Sequence, residues 1–245
     1  MSGATPRFDR LDALRGLAMV WMALFHFSFD LNHFGLLDPR QDFYRDPLWT
    51  TQRTLIVSLF LFTAGVGQAL AMAAGQPWRR FWRRWGQIAG CALLVSLGSA
   101  WMFPGSWIHF GVLHGIALML IIVRLTAGWG DWRWPLGAAA IALPWFVAHA
   151  FFDTPWTDWV GLVTRKPVTE DWVPLLPWLG VMWWGAAAGR WLLARRPQWL
   201  AGGLAGGLVP ALRPLAALGR WPLAFYMLHQ PVLIGLILAA ITIAP

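Results

Sequence analysis

Seven predominantly apolar stretches, at 12–31, 53–74, 84–103, 108–126, 134–152, 175–194 and 221–243, are separated by short polar, proline-rich or arginine-rich links. Each is close to the ~20 residues that a helix rising 1.5 Å per residue needs to cross a hydrocarbon layer about 30 Å thick. No water is present there to satisfy backbone groups, so each stretch must bond its own N–H and C=O groups as a helix. The chain is therefore expected to be all-α: a polytopic membrane helix bundle with about seven transmembrane helices. Of its 245 residues 58% are hydrophobic and 12% charged, which excludes a soluble enzyme, a disordered tail and a disulfide scaffold. One integral-membrane domain over 1–245 is expected. The segment 195–220 is the exception within it. Its apolar centre is glycine-rich and interrupted by Pro210, Arg213 and Pro214, which predicts a broken or interfacial segment, with an eighth span as the alternative.

The charge sets the orientation. With the N-terminus in the cytoplasm, fourteen of the nineteen basic residues fall on the inner side, among them Arg7, Arg10, Arg79, Arg80, Arg83, Arg84, Arg124, Arg133 and Arg190. Trp78, Trp82, Trp85, Trp132, Trp134 and Trp221 fall at inner interfaces, and Trp49, Trp107, Trp156 and Trp172 at outer ones, where amphipathic rings settle. A net charge of +8 distributed this way reflects topology, and no nucleic-acid partner is expected. The single cysteine, Cys91, allows no internal disulfide. The first apolar run keeps Arg15, His26 and Asp30 and lacks a small-residue cleavage site, so it reads as a retained helix.

Ionisable groups inside a membrane helix are expensive and point to function. The first helix has the densest set. Asp12, Met19, His26 and His33 recur every seven residues on one face, Arg15 lies about 16 Å from His26 along the axis, and Asp30 follows His26 by one turn. An imidazole with a carboxylate at i+4 suits general-base or nucleophilic work, since the carboxylate orients the ring and stabilises its cation. Arg15, near the cytoplasmic end, suits a phosphate or a phosphopantetheine-bearing anion, or alternatively anchors the helix end. His114 in the fourth helix is counted level with His26. His229 and Gln230 in the last helix are counted in its inner half, with Pro231 beside them freeing backbone carbonyls. Ahead of the sixth helix, Glu170 and Asp171 mark either an acceptor mouth or a capped helix start. No metal site is expected.

Four blocks carry a resemblance: RLDALRGLAMVWMALFHFSFDL at 10–31, IHFGVLHGIAL at 108–118, EDWVPLLPWLGVMWWG at 170–185 and LGRWPLAFYMLHQPVL at 218–233. In this order they resemble the catalytic domain of the heparan-α-glucosaminide N-acetyltransferase family in its compact bacterial form. The spacing of Arg15 and His26 also looks like the Arg-x10-His signature of the wider transmembrane acyltransferase superfamily.

The resemblance implies an enzyme that moves an acetyl group from cytoplasmic acetyl-CoA to a sugar or glycan acceptor on the other side. It implies a bacterial inner-membrane location, contact with membrane lipid, and a bundle for which a homo-oligomer is compatible. Carried over by motif, Arg15 and His26 become the central pair; joined to the polar residues read above, the expected catalytic set is His26, Asp30, His114 and His229, the donor-binding set Arg15, Asp12 and Gln230, and the acceptor-binding set His33 and Asp171. A tunnel along Arg15, Met19, Met22 and His26 would carry the pantetheine arm. The lysosomal branch has Asn at the position matching His26 and uses a histidine in the following loop, for which His33 is the nearest counterpart. His26 acts as base in a ternary complex or carries the acetyl group itself.

Two readings compete. A proton-coupled transporter would also place His, Asp and Arg on one helix face, and a haem protein would use His26 and His114 as axial ligands. A retinal protein is excluded, because the only lysine, Lys166, lies in a loop.

Overall fold

The computed structural model describes residues 8–201 and 210–243. Among them the chain is helical, with no β-strand. The α-helices are α1 (Asp9–His33), α2 (Pro47–Ala73), α3 (Trp78–Met102), α4 (Val112–Leu125), α5 (Arg133–Phe146), α6 (Leu175–Arg195), α7 (Pro197–Ala201), α8 (Arg213–Leu218) and α9 (Pro222–Ile243). Short 3-10 turns precede α5 and α8 and fold the loop between α5 and α6.

α1, α2, α3 and α9 are each long and apolar enough to cross a membrane. A fifth crossing results if α4 and α5 are joined across a bend of 107°. The sequence led us to expect full spans at 108–126 and 134–152, yet α4 and α5 have 14 residues each. At 1.5 Å per residue each is about 21 Å long, short of a ~30 Å core. The apolar run at 134–152 ends early because Pro144 lies in the last turn of α5 and the backbone is extended at Val147. Within 195–220 the described residues form only α7, α8 and the turn Pro210–Leu212. Gly202, Gly203, Gly206 and Gly207 lie outside the described residues.

The helices group into two compact units. Of the described residues, the first holds those up to Phe60 together with those from Gln198 onward, and the second holds Leu61–Pro197.

In the first unit, α1 begins with Asp9 and Asp12 in its first turn, where negative charge favours the helix N-terminus. It ends at Gly35, whose φ of +73° a Cβ would penalise. There the Leu36 N–H donates to the Leu31 carbonyl at 2.8 Å and the Gly35 N–H to the Asn32 carbonyl at 3.1 Å. Lipid tails are as apolar as leucine, so helices in a membrane associate through close packing of small residues rather than by hydrophobic burial. α1 and α8 do this through Ala13, Gly16, Ala216 and Gly219. A Cβ on Gly16 would overlap the Leu215 carbonyl, and one on Gly219 would overlap the Asp12 carbonyl. Above this crossing, Met22, Phe25, Phe43 and Ile56 form a core with Trp49 and Phe225 packed against it. The loop after α1 is pinned there by Phe43, stacked on Trp49 at 4.0 Å. Asn32 holds the same loop, exchanging two hydrogen bonds with the Gln41 backbone at 2.9 and 2.7 Å.

In the second unit, the later half of α2 meets α6 through Gly185, which faces the Phe62 backbone, and Gly189, which faces the Ala69 Cβ and the Val66 backbone. α5 and α6 pack similarly through Gly137 and Gly180.

Candidate active site

The site in the first unit is built by α1 and α9. α8 lies against Asp12 and Gly16 of α1, so α9 begins beside the middle of α1 rather than at its start. This offset brings His229, the eighth residue of α9, to the level of His26. Their rings lie 5.2 Å apart, tilted by 58°. Counting depth along the sequence had placed His229 in the inner half and His26 in the outer half. That count took both helices to start at the same membrane surface, and the intervening α8 breaks the assumption.

His229 is held on three sides. Phe225, one turn earlier, stacks parallel to its ring at 5.7 Å and 3°, and Tyr226 lies at 5.7 Å. The ring Nδ1 is 2.7 Å from the Tyr226 carbonyl oxygen. A carbonyl only accepts, so Nδ1 carries the proton and Nε2 of the neutral ring carries a lone pair. That Nε2 is buried and has no hydrogen-bond partner among the described residues. A buried polar atom without a partner is costly, and such atoms concentrate where a ligand completes them. His26 contributes the facing ring, with Phe25 edge-on at 5.8 Å.

One turn further along α1, Asp30 is 4% exposed. Gln230 donates its amide to both carboxylate oxygens of Asp30, at 2.9 and 3.2 Å, which ties α9 to α1 beside the histidines. Oε1 of Gln230 is buried without a partner among the described residues. Pro231 follows inside α9 and leaves the Met227 carbonyl without its helical donor.

The residues of the expected set near the start of α1 lie a few turns away. Arg15 Nη1 donates to Asp12 Oδ1 at 2.9 Å, and Arg220 reaches Asp9 at 3.2 Å. Met19 and Met22, expected along a tunnel, are 0% and 5% exposed and are packed as core, as flexible side chains that fill irregular gaps. His33 ends α1 exposed, edge-on to Phe34 at 5.3 Å.

His114 and Asp171 belong to the second unit, where both organise the start of α4. The Gly111 N–H donates to His114 Nδ1 at 3.2 Å, so Nε2 carries the proton and donates to Ser96 Oγ at 3.1 Å. Ser96 in turn donates to the Ile108 carbonyl at 2.6 Å. Both ring nitrogens are thus engaged. The Asp171 carboxylate accepts from the Val112 N–H at 2.7 Å, which satisfies an orphan donor of the α4 N-terminus. The sequence had offered α6 as the helix that the acidic pair faces; the carboxylate caps α4, 59 residues earlier in the chain.

A pair that the sequence did not single out lies close by. His109 Nε2 is 2.8 Å from Asp158 Oδ2, and Asp158 is 1% exposed. No spacing rule connects the two, since 49 residues separate them. Outside the helices, Asp153 accepts from the Thr164 hydroxyl and, at 2.7 Å, from the Thr164 N–H. These bonds, the hydroxyl first, hold its carboxyl below the usual carboxylate range.

Among the described residues no group of three or more His, Cys, Asp or Glu is arranged to hold a metal ion. No curated protein and no solved structure matches the chain. The family model described as heparan-alpha-glucosaminide N-acetyltransferase, catalytic, matches residues 7–231, and the chain belongs to that family of membrane acetyltransferases.

Proposed function

We propose that residues 1–245 act as one transmembrane acetyltransferase domain. It takes the acetyl group of acetyl-CoA from the cytoplasm and gives it to a sugar or glycan acceptor, an amine or a hydroxyl, at the outer face of a bacterial inner membrane. In this reading the N-terminus is cytoplasmic and about seven helices enter the bilayer: α1, α2, α3, α6 and α9 as long helices, and α4 and α5 as two short ones that meet at the bend. The arginine-rich inner links support that orientation.

The observation that carries the chemistry is the facing pair His26 and His229, with the lone pair of His229 Nε2 buried and unpartnered. An acceptor N–H or O–H placed between the rings would donate to that nitrogen. As the acceptor attacks the thioester carbonyl, its proton passes to His229 Nε2, and the C–S bond breaks. The proton then goes to the departing sulfur, giving free CoA thiol and the acetylated acceptor. His26, which the sequence favoured as the base or acetyl carrier, faces the same space and in this scheme polarises the carbonyl as charge develops on its oxygen. Asp30 and Gln230 are positioning residues that fix α9 against α1. Arg15, supported by Asp12, holds the anionic end of the donor. His33, exposed at the end of α1, contacts the acceptor as it enters. His114 and Asp171 act as positioning residues through their bonds at the start of α4.

The test is CoA thiol release from acetyl-CoA by the purified protein in detergent, with a panel of amino sugars. Wild type is compared with His26→Ala and Arg15→Ala. Acceptor-dependent release that falls in His26→Ala, together with a raised KM for acetyl-CoA in Arg15→Ala, supports the assignment. Folded wild-type protein that neither releases CoA nor binds acetyl-CoA overturns it and favours a proton-coupled transporter using the same residues.

A further inference from the structure

The bend between α4 and α5 holds a positive charge that nothing in the described chain neutralises. Arg133, the first residue of α5, is 0% exposed. Its Nη2 donates to the Thr126 carbonyl at 2.6 Å, while Nε and Nη1 are buried and have no acceptor among the described residues. Thr126 offers nothing further, since its hydroxyl donates to the Ile122 carbonyl at 2.7 Å and accepts from Trp183 Nε1 at 3.1 Å. A second guanidinium reaches the same bend. Arg190 of α6 lies against Gly130, its Nη1 3.5 Å from where a Cβ would stand, and within electrostatic reach of Arg133.

Neither arginine is paired with a carboxylate among the described residues. Two like charges at one bend, one of them desolvated, oppose the fold, and an anion reached by both would relieve it. Gly130 has φ +57° and no side chain, which leaves room beside Arg190. Planar guanidinium forks match the oxygens of carboxylates and phosphates, and of these a phosphate, carrying up to two negative charges, can offset both guanidiniums.

We infer that the α4–α5 bend is a phosphate-binding site formed by Arg133 and Arg190 beside Gly130. For a lipid headgroup the inference stands apart from acetyl transfer; for a nucleotide it rests on the proposed function and adds where a phosphate of the donor is held. The phosphate belongs either to a nucleotide, such as the 3′-phosphate of a CoA, or to an anionic lipid headgroup. Exposed Trp129, Trp132 and Trp134 around the bend are compatible with a bilayer interface, where both are reachable.

The experiment uses the full-length protein, delipidated in detergent for one arm and reconstituted in the other. The first arm measures binding of adenosine 3′,5′-bisphosphate. The second measures phosphatidylglycerol retained from vesicles of equal parts phosphatidylglycerol and phosphatidylcholine. One probe should bind the wild type and lose about tenfold or more in affinity in Arg190→Ala and Arg133→Gln, and the probe affected names the source. Arg133→Gln risks misfolding, but Arg190 is exposed, so its variants keep the test decisive. Arg190→Glu should abolish binding and raise the melting temperature of the ligand-free protein, because its carboxylate now neutralises Arg133. Neither probe binding the wild type, or binding unchanged in Arg190→Ala and Arg190→Glu, overturns the inference.

Discussion

His229 donates through Nδ1 to the carbonyl of Tyr226, 2.7 Å away and three residues earlier in the same helix. This local bond fixes which nitrogen is free for chemistry. It holds the proton on Nδ1, aims the basic Nε2 away from its own helix, and resists rotation of a ring already stacked on Phe225. A histidine held this way is prepared to accept a proton without first reorganising. Nitrogen-15 NMR of histidine-labelled protein should show His229 as the Nδ1–H tautomer, assigned by the signal lost in His229→Asn. An Nε2–H tautomer would contradict the assignment of the base.

The Asp30–Gln230 contact joins positions 200 residues apart and holds α9 at the register that pairs the histidines. Gln230→Leu removes both donors and leaves a buried carboxylate without its partner, a loss of about 1–3 kcal/mol. Adding Asp30→Asn to Gln230→Leu should recover part of this, since a neutral amide is cheaper to bury than an anion. Melting temperatures in detergent would report both effects. A Gln230→Leu protein as stable as wild type would show that the contact does not hold the helices together.

At the α1–α8 crossing, Gly16 faces the Leu215 carbonyl with no room for a methyl group. Gly16→Leu must push α8 aside, which costs about 1–3 kcal/mol or more. It also moves the start of α9, so acetyl transfer should fall even though Gly16 lies about 15 Å from His26 along the helix. Full activity with a lowered melting temperature would separate the crossing from the placement of His229.

Much of this arrangement was legible in the sequence. The positions of α1, α2, α3, α6 and α9 follow from apolar runs long enough to read without ambiguity, and the polar stripe of α1 follows from helical spacing. Asp30 and His229 were marked out because ionisable groups are rare in such runs. Three things were not legible. Helix adjacency depends on where α8 packs, so the pairing of His26 with His229 could not be counted from depth. The roles of His114 and Asp171 depend on partners at Gly111, Ser96 and Val112, which no spacing rule connects. The unneutralised Arg133 read as a topology residue and nothing in the spacing marks the pair His109–Asp158, because a sequence shows charge but not burial.

The loop between α5 and α6 should respond to pH. Thr164 bonds stabilise the charged form of Asp153 and hold its carboxyl below the usual range. Their contribution is therefore complete above the ordinary aspartate pKa of about 4 and is lost as pH falls through the lower value of the folded protein. Hydrogen exchange at the Thr164 amide, corrected for the intrinsic rate, should show protection near neutral pH that declines in acid. Asp153→Ala should lack that protection at every pH. Protection unchanged in the variant would mean that the carboxylate does not order the loop.

The central claim is that acetyl transfer runs through the histidine pair of α1 and α9. Its most direct test is the initial rate of acceptor-dependent CoA release by wild type and His229→Asn, at saturating acetyl-CoA and matched folded protein. Loss of a general base predicts a fall of about 10²–10⁴-fold in kcat with little change in the KM for acetyl-CoA. A His229→Asn enzyme that keeps the wild-type rate would contradict the account.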